Sequence, residues 1–344
     1  MIRLSALLNA QKLSIWLIVG SLFLAGCSHQ GVWREQVDNL QQLPVRVELA
    51  DTPFFPQTEY HCGPAALATV LGASGVDTTP DELTPYVYLP ERQGSLQIDL
   101  VATTRRYKRL PYELKGGLDA LFAEVANNHP VLVMQNLGLS WLPQWHYAVV
   151  VGYDLDQETV TLRSAEEERY VVPIYTFDKT WERAQRWAMV AASPDRIPVT
   201  IDVDSYVRVV NAVEKLHPDI AITAYQHGVE RWQDNALLWL ALGNALYNQQ
   251  QYLDSVRTYR KALQIHPDNE LLWNNYAYAL RSVECGEASR AAIHCAVRIN
   301  PDDPLLRDSL VELHQHKVPN ALLCDVVNCP WKAETCSGSS SAQC

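Results

Sequence analysis

The stretch Gln57-Thr58-Glu59-Tyr60-His61-Cys62-Gly63-Pro64-Ala65-Ala66-Leu67-Ala68 places a cysteine where a helix is set to begin. Pro64 suits a first helical turn, where its missing N–H is one of the donors that would have no intrahelical partner. A thiol at that place meets unpaired N–H groups and the positive end of the helix dipole. Both favour thiolate over thiol and would make Cys62 a better nucleophile at neutral pH. Gln57, five residues upstream, is close enough for its side-chain amide to donate to an oxyanion at the same centre. The chemistry then needs a base. His146 opens the run Trp145-His146-Tyr147-Ala148-Val149-Val150-Val151-Gly152-Tyr153, which reads as a buried strand, and a strand is a rigid mount for a base. Nucleophile, base and oxyanion donor together are the parts of acyl transfer through a covalent intermediate. His61 adjoins Cys62, but adjacent side chains at a helix start diverge, so it reads as a surface or pocket-rim residue. His129, before Pro130, reads as loop, and Trp141 and Trp145 as packing near a cleft mouth.

The elements that must position these residues follow from pattern and punctuation. Helices are expected over Gly63–Gly72, from the capping-box pattern Thr79-Pro80-Asp81-Glu82 onward, over Leu96–Tyr107 and over Leu118–Asn127. Strands are expected at Pro130–Gln135, Trp145–Tyr153, Thr159–Arg163 and Tyr170–Ile174. Helices first and a sheet afterwards give an α+β domain over residues 45–193.

Three stretches together, Gln57 to Ala68, the helix-then-strand of Leu118 to Gln135, and His146-Tyr147 before Gly152-Tyr153, resemble the bacteriocin-processing, double-glycine leader peptidases of the papain-like clan. The resemblance covers about Val45 to Ala192. It implies an α+β papain-like cysteine peptidase fold, with Cys62 as nucleophile, His146 as general base and acid, and Gln57 as oxyanion donor. Where that family carries an Asp that orients the imidazole, this chain reads Thr161-Leu162-Arg163-Ser164-Ala165, with Ser164 in the Asp position. A hydroxyl can accept from an imidazole N–H but brings no charge to stabilise the imidazolium. The relatives implied by this resemblance sit at the front of an export ATPase, and this sequence shows no P-loop pattern.

Beyond Pro194-Asp195-Arg196-Ile197-Pro198 the pattern becomes helical with a fixed period. Residues 236–269 and 270–303 align without a gap, Trp239 with Trp273, Ala262 with Ala296 and Pro267 with Pro301, and 202–235 is a weaker copy with Ala221 and Tyr225. A period of this length with these residues resembles the tetratricopeptide repeat, and implies an all-α solenoid over 202–316, counting a final capping helix. Such solenoids offer a concave face to a peptide or partner protein.

Residues 1–27 read as an export signal, with Arg3 and Lys12 before an apolar run from Leu13 to Ala25. Leu24-Ala25-Gly26-Cys27 resembles a lipobox, which implies that Cys27 is lipid-modified. Residues 28–44 read as a tether. Ser28 after the Cys implies an outer-membrane lipoprotein facing the periplasm of a Gram-negative bacterium, rather than one kept at the inner membrane. In an oxidising compartment Cys285, Cys295, Cys324, Cys329, Cys336 and Cys344 read as an even set of disulfide partners with fifteen possible pairings, and 317–344 as a Cys-rich tail. The spacings lack the C-x-x-C hairpin usual for zinc, and no cofactor or metal is expected.

Composition limits the rest. The chain has 344 residues, 48% of them hydrophobic and 19% charged, with a net charge of −11, which argues against wholesale disorder and against nucleic acid as a partner. The expected function is a membrane-anchored, periplasm-facing cysteine peptidase acting on a peptide or protein, with repeats that recruit substrate or partner. Two alternatives stand beside it: a papain-like acyltransferase, and a noncatalytic peptide-binding scaffold.

Overall fold

The computed structural model describes residues 40–56, 61–315, 324 and 326–329. The segment 1–27 with Cys27, most of the tether, Gln57, Cys336 and Cys344 lie outside the described residues. The chain forms two compact units, one of residues 1–100 with 113–190 and one of residues 101–112 with 191–344. Among the described residues no helix is long and apolar enough to cross a membrane.

The first part of the chain contributes β1 (Arg46–Glu48), α1 (Cys62–Ala73), α2 (Pro80–Val87), α3 (Gln97–Arg106), β2 (Leu110–Glu113), α4 (Leu118–Ala126), β3 (Val131–Asn136), β4 (Trp145–Asp154), β5 (Thr159–Ser164), β6 (Glu167–Pro173), α5 (Ile174–Glu182) and β7 (Ala188–Ala192). In the first unit the sheet order is β7-β3-β4-β5-β6, every neighbour antiparallel, and β1 pairs with β4 off this path. α1 is apolar on all sides and buried from Gly63 to Leu71, as a helix must be when it runs through a core. Thr79 caps α2 by the expected reciprocal pair: its side chain accepts from Glu82 N–H, and the Glu82 carboxylate accepts from Thr79 N–H at 3.3 Å. β4 is buried from Tyr147 to Tyr153 and occupies the middle of the sheet. Gly152 lets β1 close on it, since a Cβ there would stand 2.6 Å from the Val47 carbonyl oxygen.

Three features of this unit depart from the expected pattern. β6 begins at Glu167 rather than Tyr170, because its first residues are an exposed polar edge, and α5 begins at Ile174, where a strand was expected to end. The short strands β1 and β7 carry no alternation by which a sequence could announce them.

The second unit carries α6 (Val203–Glu214), α7 (Pro218–Arg231), α8 (Ala236–Asn248), α9 (Tyr252–Ile265), α10 (Glu270–Ser282), α11 (Gly286–Ile299) and α12 (Pro304–Gln315). The 34-residue period recurs in its hydrogen bonds. Asn235 and Asn269 cap α8 and α10 by accepting from Leu238 and Leu272 N–H at 3.1 and 3.0 Å. The indole N–H groups of Trp239 and Trp273 donate to the carbonyls of Gln233 and Pro267, both at 2.8 Å. Ser255 and Ser289 donate to the carbonyls of Gly243 and Ala277, at 2.9 and 2.7 Å. The copies 236–269 and 270–303 therefore repeat the same contacts, not only the same residue types; the weaker copy 202–235 has Ile201, Ser205 and Ala221 at the equivalent positions.

Two disulfides select among the pairings left open by the sequence. Cys285 joins Cys324 and Cys295 joins Cys329, across 39 and 34 residues. Cross-links over loops of this length are worth about 2–4 kcal/mol, much of it from restricting the unfolded chain. The double variant Cys285→Ser, Cys324→Ser is expected to lower the urea stability of the repeat unit by about that amount. A midpoint equal to that of the unaltered chain would contradict the structural role given to this bridge.

Candidate active site

Cys62 is the first residue of α1, and His146 is the second residue of β4. The core packing of α1 against the sheet brings them to the same place. The Cys62 sulfur accepts from the backbone N–H of Tyr147, the residue beside His146, and from the N–H groups of Gly63 and of Cys62 itself. His146 Nε2 lies 2.9 Å from Ser164 Oγ at the end of β5. With Nε2 engaged there, Nδ1 is the ring nitrogen left for the thiol. Ser164 is 8% exposed and sits behind the imidazole, while Cys62, His146 and Tyr147 line a cleft of 1310 Å³.

Arg163 is buried on β5, and its guanidinium donates to the carbonyls of Ala50 at 2.9 Å and Thr52 at 3.3 Å, which ties the segment after β1 to the sheet. Gly63 is required by close approach, since a Cβ at that position would collide with the side chain of Ser95. Ser95, Gln97 and Met134 also line the cleft, and Gln97 Nε2 donates to Met134 Sδ at 3.4 Å. The Tyr147 hydroxyl donates to the Ser95 carbonyl at 3.3 Å, while Ser95 Oγ is buried without a partner. None of these three lining residues stood out in the sequence, because a Ser, a Gln and a Met at unrelated positions carry no motif. Elsewhere on the wall stand Arg92, Glu166 and Glu167, so the rim carries both signs of charge.

The electrostatics differ from the sequence expectation. Burial pushes the Cys62 thiol up, and this outweighs the three N–H groups that favour the thiolate. Burial likewise pushes the His146 imidazole down. Each shift favours the uncharged form of its own group, thiol and imidazole, and so works against the thiolate expected from the helix dipole. Transfer of the thiol proton to Nδ1 must then accompany attack. Ser164 matters to this step in a specific way. A carboxylate could only accept and would hold the proton on Nε2. A hydroxyl can accept from Nε2–H or donate to a bare Nε2, so it leaves both imidazole tautomers open, and one of them is unable to take the thiol proton.

The other histidines and tryptophans noted in the sequence, and the carboxylate at the end of β4, have surroundings of their own. His61 stacks on Tyr88 with ring centroids 4.8 Å apart and does not border the cleft. Asp154 ends β4 at the strand terminus opposite His146, accepts from Gln157 N–H in a turn and faces Arg46 at 3.6 Å. It cannot orient the imidazole. His129 lies in the loop between α4 and β3, as expected, but that loop is buried there, with His129 Nδ1 2.7 Å from the fully buried Glu124. Trp145 borders the cleft, and Trp141 does not. Cys62 is the free cysteine among the described residues, and no group of His, Cys, Asp or Glu among them could hold a metal ion.

Residues 47–189 match the Peptidase_C39 like family, and residues 236–269 match the tetratricopeptide repeat. This chain carries a C39-like peptidase domain followed by tetratricopeptide repeats. A solved structure from Bacillus anthracis described as a C39-like peptidase is 18% identical, covering 43% of this chain and 97% of that one with a TM-score of 0.37. The peptidase domain of Streptococcus ComA, a bifunctional ABC transporter involved in quorum sensing, is 17% identical over 41% of this chain and 98% of its own, with a TM-score of 0.33. The Arabidopsis OM64 TPR domain is 16% identical over 33% of this chain and 96% of its own, with a TM-score of 0.31. No curated protein matches the chain.

In the unaltered chain, alkylation of Cys62 by iodoacetamide is expected to rise only above neutral pH. In Ser164→Asp the new carboxylate raises the His146 pKa and fixes Nε2–H, so alkylation should extend to lower pH. Identical pH profiles for the two chains would refute the role given to Ser164.

Proposed function

We propose that this chain is a membrane-anchored, periplasm-facing cysteine peptidase that cleaves a peptide or protein through a Cys62 thioester, with its repeats recruiting substrate or partner. The observation that carries this reading is the cleft in which the Cys62 sulfur meets the Tyr147 amide beside His146, with Ser164 behind the imidazole. The proposed outer-membrane anchor is Cys27, on the strength of the sequence that precedes it.

In this mechanism the thiol proton passes to His146 as sulfur attacks the scissile carbonyl carbon. The oxyanion takes hydrogen bonds from the Cys62 backbone N–H at the start of α1 and, by the family resemblance, from the side-chain amide of Gln57. The tetrahedral adduct collapses as the imidazolium gives its proton to the leaving amine. A water molecule, deprotonated by the imidazole, then hydrolyses the thioester and frees the thiol. Ser164 acts as a positioning residue, setting the ring but touching no reacting atom.

Cys62→Ala is expected to lower cleavage by at least about 10⁴-fold, and Ser164→Ala, which removes one neutral hydrogen bond, by about tenfold. The measurement is mass-spectrometric detection of products from a peptide library with the full chain. Equal cleavage by Cys62→Ala would overturn the reading. Adding an amine nucleophile separates the two enzymatic outcomes: free carboxylate products mark a peptidase, and amide-linked products mark an acyltransferase.

A further inference from the structure

The connection between β3 and β4 is a hairpin unlike the rest of the first unit. From Leu137 to Trp145 it holds no ionisable residue, yet five of its nine positions are large apolar side chains that stand exposed. Trp141 is 78% exposed, Leu142 63% and Leu139 55%. Exposure here is not a matter of looseness, because the hairpin is closed by its own hydrogen bonds. Leu139 and Leu142 exchange both backbone bonds at 3.1 Å, and Leu137 N–H donates to the Gln144 carbonyl at 2.8 Å. The buried Asn136 side chain accepts from Gly138 N–H at 3.0 Å and Gln144 N–H at 2.9 Å. Arg183 clamps the base by donating twice to the Asn136 carbonyl. Gly138 makes the closure possible, since a Cβ there would lie 2.4 Å from the Leu142 carbonyl oxygen. The leucines and Trp141 are thus held outward and cannot fold back onto the sheet.

A peptide in the cleft would account for Trp145, which borders it, but not for Leu137, Leu139, Trp141 and Leu142, which do not. We propose that the Leu137–Trp145 hairpin inserts into the interfacial layer of a phospholipid bilayer, so that the cleft works on polypeptide segments lying close to the membrane surface. A rigid, uncharged protrusion tipped with Leu and Trp suits that layer, where aromatic rings sit at headgroup level and aliphatic side chains reach the acyl boundary. The length of the preceding chain agrees. Arg46 pairs with Asp154, at the far end of β4 from Trp145, roughly 30 Å away at strand spacing. The thirteen steps from Cys27 to Leu40, where the chain enters the turn Leu40–Gln42, can span up to about 45 Å when extended, longer than the strand itself, so an acyl chain on Cys27 and the hairpin can reach one bilayer. The inference rests on the anchored reading above for this last point only.

The test uses the full chain in phosphatidylcholine vesicles with brominated acyl chains. The Trp141 contribution is taken as the emission difference between the unaltered chain and Trp141→Phe. Quenching of that contribution by the brominated lipid, independent of salt and lost in Leu139→Ser, Leu142→Ser, supports the proposal, with unchanged Cys62 alkylation showing that this variant is folded. Trp141 emission quenched by aqueous acrylamide to the same extent with and without vesicles overturns it. So does shielding of Trp141 that needs an added peptide and no lipid, which would assign the hairpin to a protein partner. Resistance of the chain to alkaline carbonate reports the Cys27 anchor separately. Release by carbonate with lipid quenching retained would sink the anchor and leave the hairpin assignment standing.

Discussion

The contact between the Cys62 sulfur and the Tyr147 amide is the constraint from which the site follows. It requires the start of α1 to lie against the start of β4, and so requires Gly63 at the one place where a Cβ would collide with Ser95. The same closeness removes water from thiol and imidazole alike. Desolvation then shapes the chemistry: it favours the uncharged pair, and the group that His146 meets behind its ring is the Ser164 hydroxyl, not a charged one. A neutral thiol exchanges slowly with disulfides, so Cys62 can stay reduced in a chain whose repeat unit forms two of them.

Much of this was legible in the sequence because it rests on local rules. Pro64 in the first turn, the Thr79 to Glu82 capping box and the apolar run after His146 each report their own surroundings. The gapless repeat register was legible for the same reason, since Trp239 and Trp273 meet equivalent carbonyls. The position of Ser164 behind His146 was readable by likeness to a family pattern, and the structure brings the two side chains together. What the sequence hid was relational. The burial that reverses the thiol expectation depends on how α1 meets the sheet, and no residue near Cys62 records it. The Glu124–His129 pair hid for a similar reason, because the loop at His129 before Pro130 gives no sign of burial until α4 and β3 close around it. The disulfide partners were undetermined because pairing depends on which parts of the repeats face the tail.

β4 serves several ends at once. Its first residues supply the base and a cleft wall, its middle fills the core, and its last residues receive β1. The exposed hairpin is the continuation of that strand beyond the base. Force on the hairpin therefore reaches His146 along β4 through Trp145 and across the ladder from β3, where Gln135 pairs with His146, with Arg183 and Asn136 bracing the joint.

The bridges from Cys324 and Cys329 bind the chain beyond α12 to the turn before α11 and to α11 itself. A stack of helix pairs ordinarily frays from either margin, since each pair leans only on its neighbours. Here one margin is riveted. The chain beyond α12 cannot part from α11 while the bridges are intact, and tension applied beyond Cys329 passes through the bridge to Cys295 and so falls on α11, skipping α12.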